Sequence, residues 1–130
     1  MWKEHKNPVQ IYAQVMGVWT YIVVEQIIYC QAYGDYTHFY MNDDRKLLIT
    51  GNLTESECLI DNDGFDRIHQ SFLLNHQYFV KVSRKGNAKE AILTQGDPLP
   101  FSRERFKDWK NKYGRPAYGE SPEKCKMKRK

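Results

Sequence analysis

The sequence has no apolar run long enough to cross a bilayer. Its most apolar stretch, residues 18–30, is broken by Glu25 and Gln26 and falls short of the roughly 20 residues that a spanning helix needs. The opening Met-Trp-Lys-Glu-His-Lys-Asn-Pro carries charge with no apolar segment behind it, so no signal peptide is visible. Cysteine is scarce. Cys30, Cys58 and Cys125 are odd in number, far apart and form no Cys-x-x-Cys pair, which argues against a disulfide framework and for a reduced, cytoplasmic setting. No glycine-rich phosphate loop follows a strand, and no His-Glu-x-x-His or paired-cysteine spacing is present. His69 and His76 stand apart from any cysteine ligand, and Cys30, in a strand context, reads as a core thiol rather than a nucleophile. An enzyme, a metal site and a cofactor are therefore not expected. There is no internal repeat.

What is present is β-forming. At 130 residues the chain suits one domain with a real core, and nine tyrosines and six phenylalanines beside many Val, Ile and Thr favour strands. The densest stretch is Phe-Asp-Arg-Ile-His-Gln-Ser-Phe-Leu-Leu-Asn, residues 65–75, which interleaves large apolar groups with polar ones. As a strand it would anchor itself by its aromatics and present Gln70 to a partner, with alternate side chains on opposite faces. The plainer reading is a buried strand whose His69 and Asn75 satisfy neighbouring backbone groups.

Around that stretch the alternation predicts strands over 9–15, 19–24, 27–32, 36–41, 46–50, 79–83 and 90–94. Turns fall at Tyr33-Gly34-Asp35, at 42–45, around Asn75-His76-Gln77, at Arg84-Lys85-Gly86-Asn87 and at Gln95-Gly96-Asp97. Thr54-Glu55-Ser56-Glu57 reads as a capping box opening a short helix that carries Cys58, Leu59 and Ile60 inward and stops at Asn62-Asp63-Gly64. Ser102 can cap a second helix over 103–113, where Phe106, Trp109 and Tyr113 share one stripe, and Gly114 ends it. Residues 1–17 read as a linker or first strand, 18–114 as the folded domain and 115–130 as a flexible basic tail.

The formal net charge of +4 hides an asymmetry. Residues 35–66 hold eight acidic and two basic groups, residues 67–112 ten basic and four acidic, and the tail six basic and two acidic. A polarised distribution of this kind suits a nucleic-acid binder, although solvated faces produce one too. The basic set is Arg67, Arg84, Lys85, Arg103, Arg105, Lys107, Lys110 and Lys112, interleaved with Gln70, Asn75 and Asn87. Arginine can grip phosphate and read guanine, and Gln or Asn can pair with adenine.

Four motifs then occur in order: Ile-Ile-Tyr-Cys-Gln-Ala-Tyr-Gly-Asp-Tyr (27–36), Gly-Asn-Leu-Thr-Glu (51–55), the 65–75 stretch and Leu-Pro-Phe-Ser-Arg (99–103). Together they resemble the LytTR DNA-binding domain of bacterial transcription regulators, over about residues 18–113. The resemblance implies an elongated, mainly β, antiparallel fold of several small sheets with two short helices, whose loops enter successive major grooves of double-stranded DNA. It implies base contacts at Thr37 or His38, at Gln70 and at Arg103, with His69, Ser71, Phe72 and Asn75 shaping and supporting the loop. Phosphate contacts by Arg84, Lys85 and Lys107 follow from their charge.

Gln70 departs from the pattern, which commonly has a basic residue or Asn there. The family usually carries a receiver domain ahead of this one, so the chain reads as the output domain of a two-component response regulator or as a stand-alone regulator, with two copies pairing on repeated half-sites. The reading from another class is a β-rich protein-interaction or sensing module that no longer binds DNA.

Overall fold

The structure is a computed structural model that describes residues 9–114. The assigned tail at 115–130 and the first eight residues lie outside the described residues. Ten strands and two α-helices follow one another as β1 (Gln10–Val15), β2 (Val18–Val23), β3 (Ile27–Tyr33), β4 (Tyr36–Met41), β5 (Lys46–Thr50), α1 (Leu53–Ile60), β6 (Phe65–His69), β7 (Phe72–Asn75), β8 (Phe79–Lys85), β9 (Ala88–Leu93), β10 (Leu99–Pro100) and α2 (Arg103–Tyr113). The fold is mainly β, as expected, and its strands collect into a seven-stranded sheet, β2-β1-β5-β4-β3-β7-β6, and a three-stranded sheet, β10-β9-β8. Every pairing is antiparallel. No helix among the described residues is long and apolar enough to cross a membrane.

The two-residue period of a strand explains how one sheet serves two cores. On β7, Leu73 and Leu74 are both fully buried, yet Leu73 joins Phe39, Met41 and Leu53 while Leu74 joins Ile28, Ile68 and Leu99. The first core is closed by α1 and by the β1–β2 hairpin through Ile11 and Ile22. The second is closed by the small sheet and by Phe101, with Phe106 and Trp109 of α2 packed against it. Cys30 lies fully inside the first core, where burial pushes its thiol well above the ordinary value and leaves it protonated and inert.

Three local expectations are corrected. The capping box of α1 is Asn52 with Glu55, not Thr54 with Glu57: the Asn52 side chain accepts the Glu55 N–H at 2.8 Å and the Glu55 carboxylate accepts the Asn52 N–H at 2.8 Å. Starting the helix two residues earlier turns Leu53, Ser56 and Ile60 inward and leaves Cys58 and Leu59 exposed. Residues 65–75 are not one strand but a hairpin, β6 and β7 joined at Gln70-Ser71. The strand β8 also runs on through Arg84 and Lys85, so the turn beyond it is Gly86-Asn87 alone, with Gly86 at φ 64°, a value that costs glycine little.

Candidate nucleic-acid interface

The β6–β7 turn has no glycine and is closed by side chains instead. His69 Nδ1 accepts the Ser71 N–H at 3.0 Å. From beneath, the Arg67 guanidinium donates to the carbonyls of His69 (3.2 Å) and Gln70 (2.8 Å) and to Glu57 Oε1 (3.0 Å). Its side chain is 13% exposed, so Arg67 is a brace of the loop rather than a free cation. The Ala32 N–H donates to the Ser71 carbonyl at 2.9 Å, which ties the turn to the end of β3. The outcome is a rigid turn that leaves the Gln70 side chain in solvent.

Asn75 holds the far end of the hairpin. It is buried; its amide donates to the Ile27 carbonyl at 2.9 Å and its oxygen accepts the Gln77 N–H at 3.0 Å. Asn75→Ala orphans the Ile27 carbonyl, a loss worth about 1–3 kcal/mol for a buried group left unpaired, and hands the N–H of the exposed Gln77 to water. We expect a matching loss of stability in chemical denaturation, with the Ile27 side of β3 loosened first in hydrogen exchange.

Arg103 reaches the same region by a different route. The Ser102 N–H donates to the Ile68 carbonyl at 2.8 Å, and the Ser102 hydroxyl accepts the Arg105 N–H at 3.1 Å, so one residue both caps α2 and fastens it to β6, two residues from Gln70. The other end of α2 is fastened through Asp66, whose carboxylate accepts from Lys112 Nζ (2.8 Å) and the Tyr113 hydroxyl (2.9 Å). Burial is the largest single influence on Lys112 and by itself would lower its pKa, but the hydrogen bonds and charge attraction of Asp66 and Tyr113 together outweigh it and hold the ammonium above the ordinary lysine value. Lys112, like Arg67, is spent on the fold.

The exposed Arg103 and Lys107, four residues apart on α2, share one outer stripe. Arg103 also borders a cleft of about 360 Å³ with Asn87, Lys89 and Phe106, which brings the helix end beside the β8–β9 turn. Arg84 sits across from Lys89 and Lys85 across from Ala88, both exposed. Lys89, absent from the basic set read from sequence, lies 5.0 Å over the Phe106 ring; its signal is only its place two residues after Asn87.

Of the pair Thr37 and His38, only His38 has a surface. Thr37 is 0% exposed; its hydroxyl donates to the Gly51 carbonyl at 2.9 Å and accepts from Ser56 Oγ at 3.2 Å. His38 points out of the other face, 4.6 Å from Tyr33, opposite Gln31, which is itself opposite Phe72. Two strand spacings, roughly 10 Å, therefore separate His38 from the residue that follows the Gln70-Ser71 turn. Partial burial, and then the charge of Lys46, hold the His38 imidazole below the ordinary histidine value, so at pH 7 it is neutral and offers one donor and one acceptor.

Thus the turn bearing Gln70, the end of α2 bearing Arg103 and the His38 strand all converge on β6, β7 and their neighbour β3, with Lys107 one turn further along α2 and Arg84 and Lys85 at the end of β8. The described residues contain no group of three or more His, Cys, Asp or Glu side chains arranged to hold a metal.

The family model of the LytTr DNA-binding domain matches residues 18–114. Among solved structures, a LytTr DNA-binding domain from Bacillus cereus superposes with a TM-score of 0.67 at 17% identity, over 80% of this chain and 95% of that one. No curated protein matches.

Proposed function

Since the chain belongs to the LytTR DNA-binding domain family, a family of DNA-binding domains and not of enzymes, we propose that it binds a specific site on double-stranded DNA in the cytoplasm and regulates transcription there. Gln70 reads a base edge, Arg103 reads a second base or its flanking phosphate, and His38 reads a third position. Arg84, Lys85 and Lys107 hold the phosphate backbone, while His69, Ser71 and Asn75 keep the loop in shape. It acts as the output domain of a two-component response regulator or as a stand-alone regulator, and two copies occupy repeated half-sites.

The observation that carries this reading is the hydrogen bond from Ser102 to the Ile68 carbonyl. It couples the exposed Gln70 turn and the exposed Arg103 helix end to one strand, so the two side chains keep a fixed spacing, as reading two positions of one site requires.

Fluorescence anisotropy against duplex from the gene's own upstream region and against a scrambled duplex tests the proposal. Tighter binding to the native duplex is expected, with log affinity falling about 0.9 per phosphate contact for each decade of salt. Equal binding to both duplexes would overturn it, and salt-insensitive binding to a protein partner would favour an interaction module. Gln70→Ala is expected to leave overall binding largely intact but to relax preference at one base pair, by about 1–3 kcal/mol.

A further inference from the structure

Four strand edges end the two sheets, and three of them are protected. At β6, the Ser102 N–H occupies the Ile68 carbonyl and Lys112 bonds the adjoining Asp66. The edge strand β8 carries the exposed cations Lys81, Arg84 and Lys85. The last, β10, is two residues long and contains Pro100. Cover, charge, brevity and proline are the ways proteins keep edges from pairing.

The fourth edge, β2, has none of them. It is Val-Trp-Thr-Tyr-Ile-Val, six residues without charge or proline, and among the described residues nothing pairs with it on the side away from β1.

Its outward face is apolar as well. The register Tyr12↔Tyr21 and Gln14↔Trp19 puts these four side chains on the face opposite the buried Ile11 and Ile22. Tyr12 and Tyr21 stack at 4.2 Å and Trp19 meets Tyr12 edge-on at 6.3 Å, yet Tyr12, Trp19 and Tyr21 remain 53%, 64% and 61% exposed. A row of unpaired backbone groups beside bare aromatics marks an interaction surface.

We propose that this edge pairs, antiparallel and by a two-fold axis, with β2 of a second copy of the chain. The unpaired backbone groups call for another uncharged extended strand of similar length, and among the described residues β2 itself is the edge that answers. Because directly opposed residues must face the same side of a sheet, outward residues pair only with outward residues, and the axis passes through a residue rather than between two. Centred on Thr20, it sets Trp19 of each copy opposite Tyr21 of the other, a favourable aromatic cross-strand pair, and sets the exposed Val18 opposite Ile22. No charge meets a like charge. The seven-stranded sheet becomes continuous across the dimer, while Gln70, Arg103 and the β8–β9 turn belong to other elements and stay free. The contact does not depend on the DNA reading.

Sedimentation of the full chain without DNA, across a wide concentration range, tests this. A reversible monomer–dimer equilibrium is expected, and Trp19→Lys and Tyr21→Lys are each expected to abolish the dimer while keeping the circular dichroism spectrum of the parent. Both sites are exposed, and the two variants stand in for each other should one fail to fold. In a background with Cys58→Ser and Cys125→Ser, mixing Trp19→Cys with Tyr21→Cys protein under oxidation is expected to give a mixed disulfide dimer, with neither variant cross-linking well alone. A chain that stays monomeric at all concentrations, or a dimer indifferent to both lysines, would overturn the proposal.

Discussion

Phe39→Ala is expected to lower the free energy of unfolding by about 3–5 kcal/mol, the cost of removing a large aromatic from a packed core. Phe39 is fully buried in the middle of β4, opposite Cys30 on one side and Leu47 on the other, in the core that α1 closes. Neighbours on two strands cannot collapse into the space without breaking the register of the ladders that hold them, so most of the cavity persists. Against a typical stability of about 5–15 kcal/mol the loss takes a large share. A urea titration should show it as a lower midpoint at unchanged slope. Phe39→Leu, which keeps most of the volume, is expected to cost far less. A midpoint for Phe39→Ala within experimental error of the parent would show that the first core does not carry the fold.

What the sequence made legible was what local chemistry decides. The alternation Tyr36, His38, Tyr40 against Thr37, Phe39, Met41 predicts β4 residue for residue, and Ser102 with the Phe106, Trp109, Tyr113 stripe predicts α2 with its cap. Alternation does not say which face is buried, and the family resemblance allows either Thr37 or His38; the contacts of Ser56 and Gly51 enclose Thr37 and leave the surface to His38. The β6–β7 hairpin was hidden because its turn lacks Gly or Asn-Gly and is held by His69 and by Arg67, the latter through contacts that include a residue of α1. For α1, two overlapping capping signals compete locally, and burial of Leu53 selects the earlier one. Counting cations misjudged Arg67 and Lys112 for a related reason: their partners, Glu57 and Asp66, are set by tertiary structure, and a charge count carries no pairing.

Arg103→Gln is expected to cost about 1–3 kcal/mol of affinity for the cognate duplex, roughly a 5- to 150-fold rise in Kd, with no loss of stability. The two halves of that expectation come from the same geometry. Arg103 is exposed and is the first residue of α2, where the positive end of the helix dipole disfavours a cation by about 0.3–1 kcal/mol. Removing the guanidinium therefore leaves the fold unharmed or slightly firmer, while Ser102 keeps its cap and its bond to Ile68. A cation at the unfavourable end of a helix does not stabilise the fold that carries it. Lys107→Gln separates reading from gripping. A backbone contact weakens every duplex alike and lowers the salt slope by about 1, whereas loss of Arg103 should fall most heavily on the cognate sequence. Anisotropy on cognate and scrambled duplexes, paired with thermal melts, measures both. An Arg103→Gln protein with undiminished cognate affinity would remove Arg103 from the interface and leave Gln70 and His38 to carry the reading.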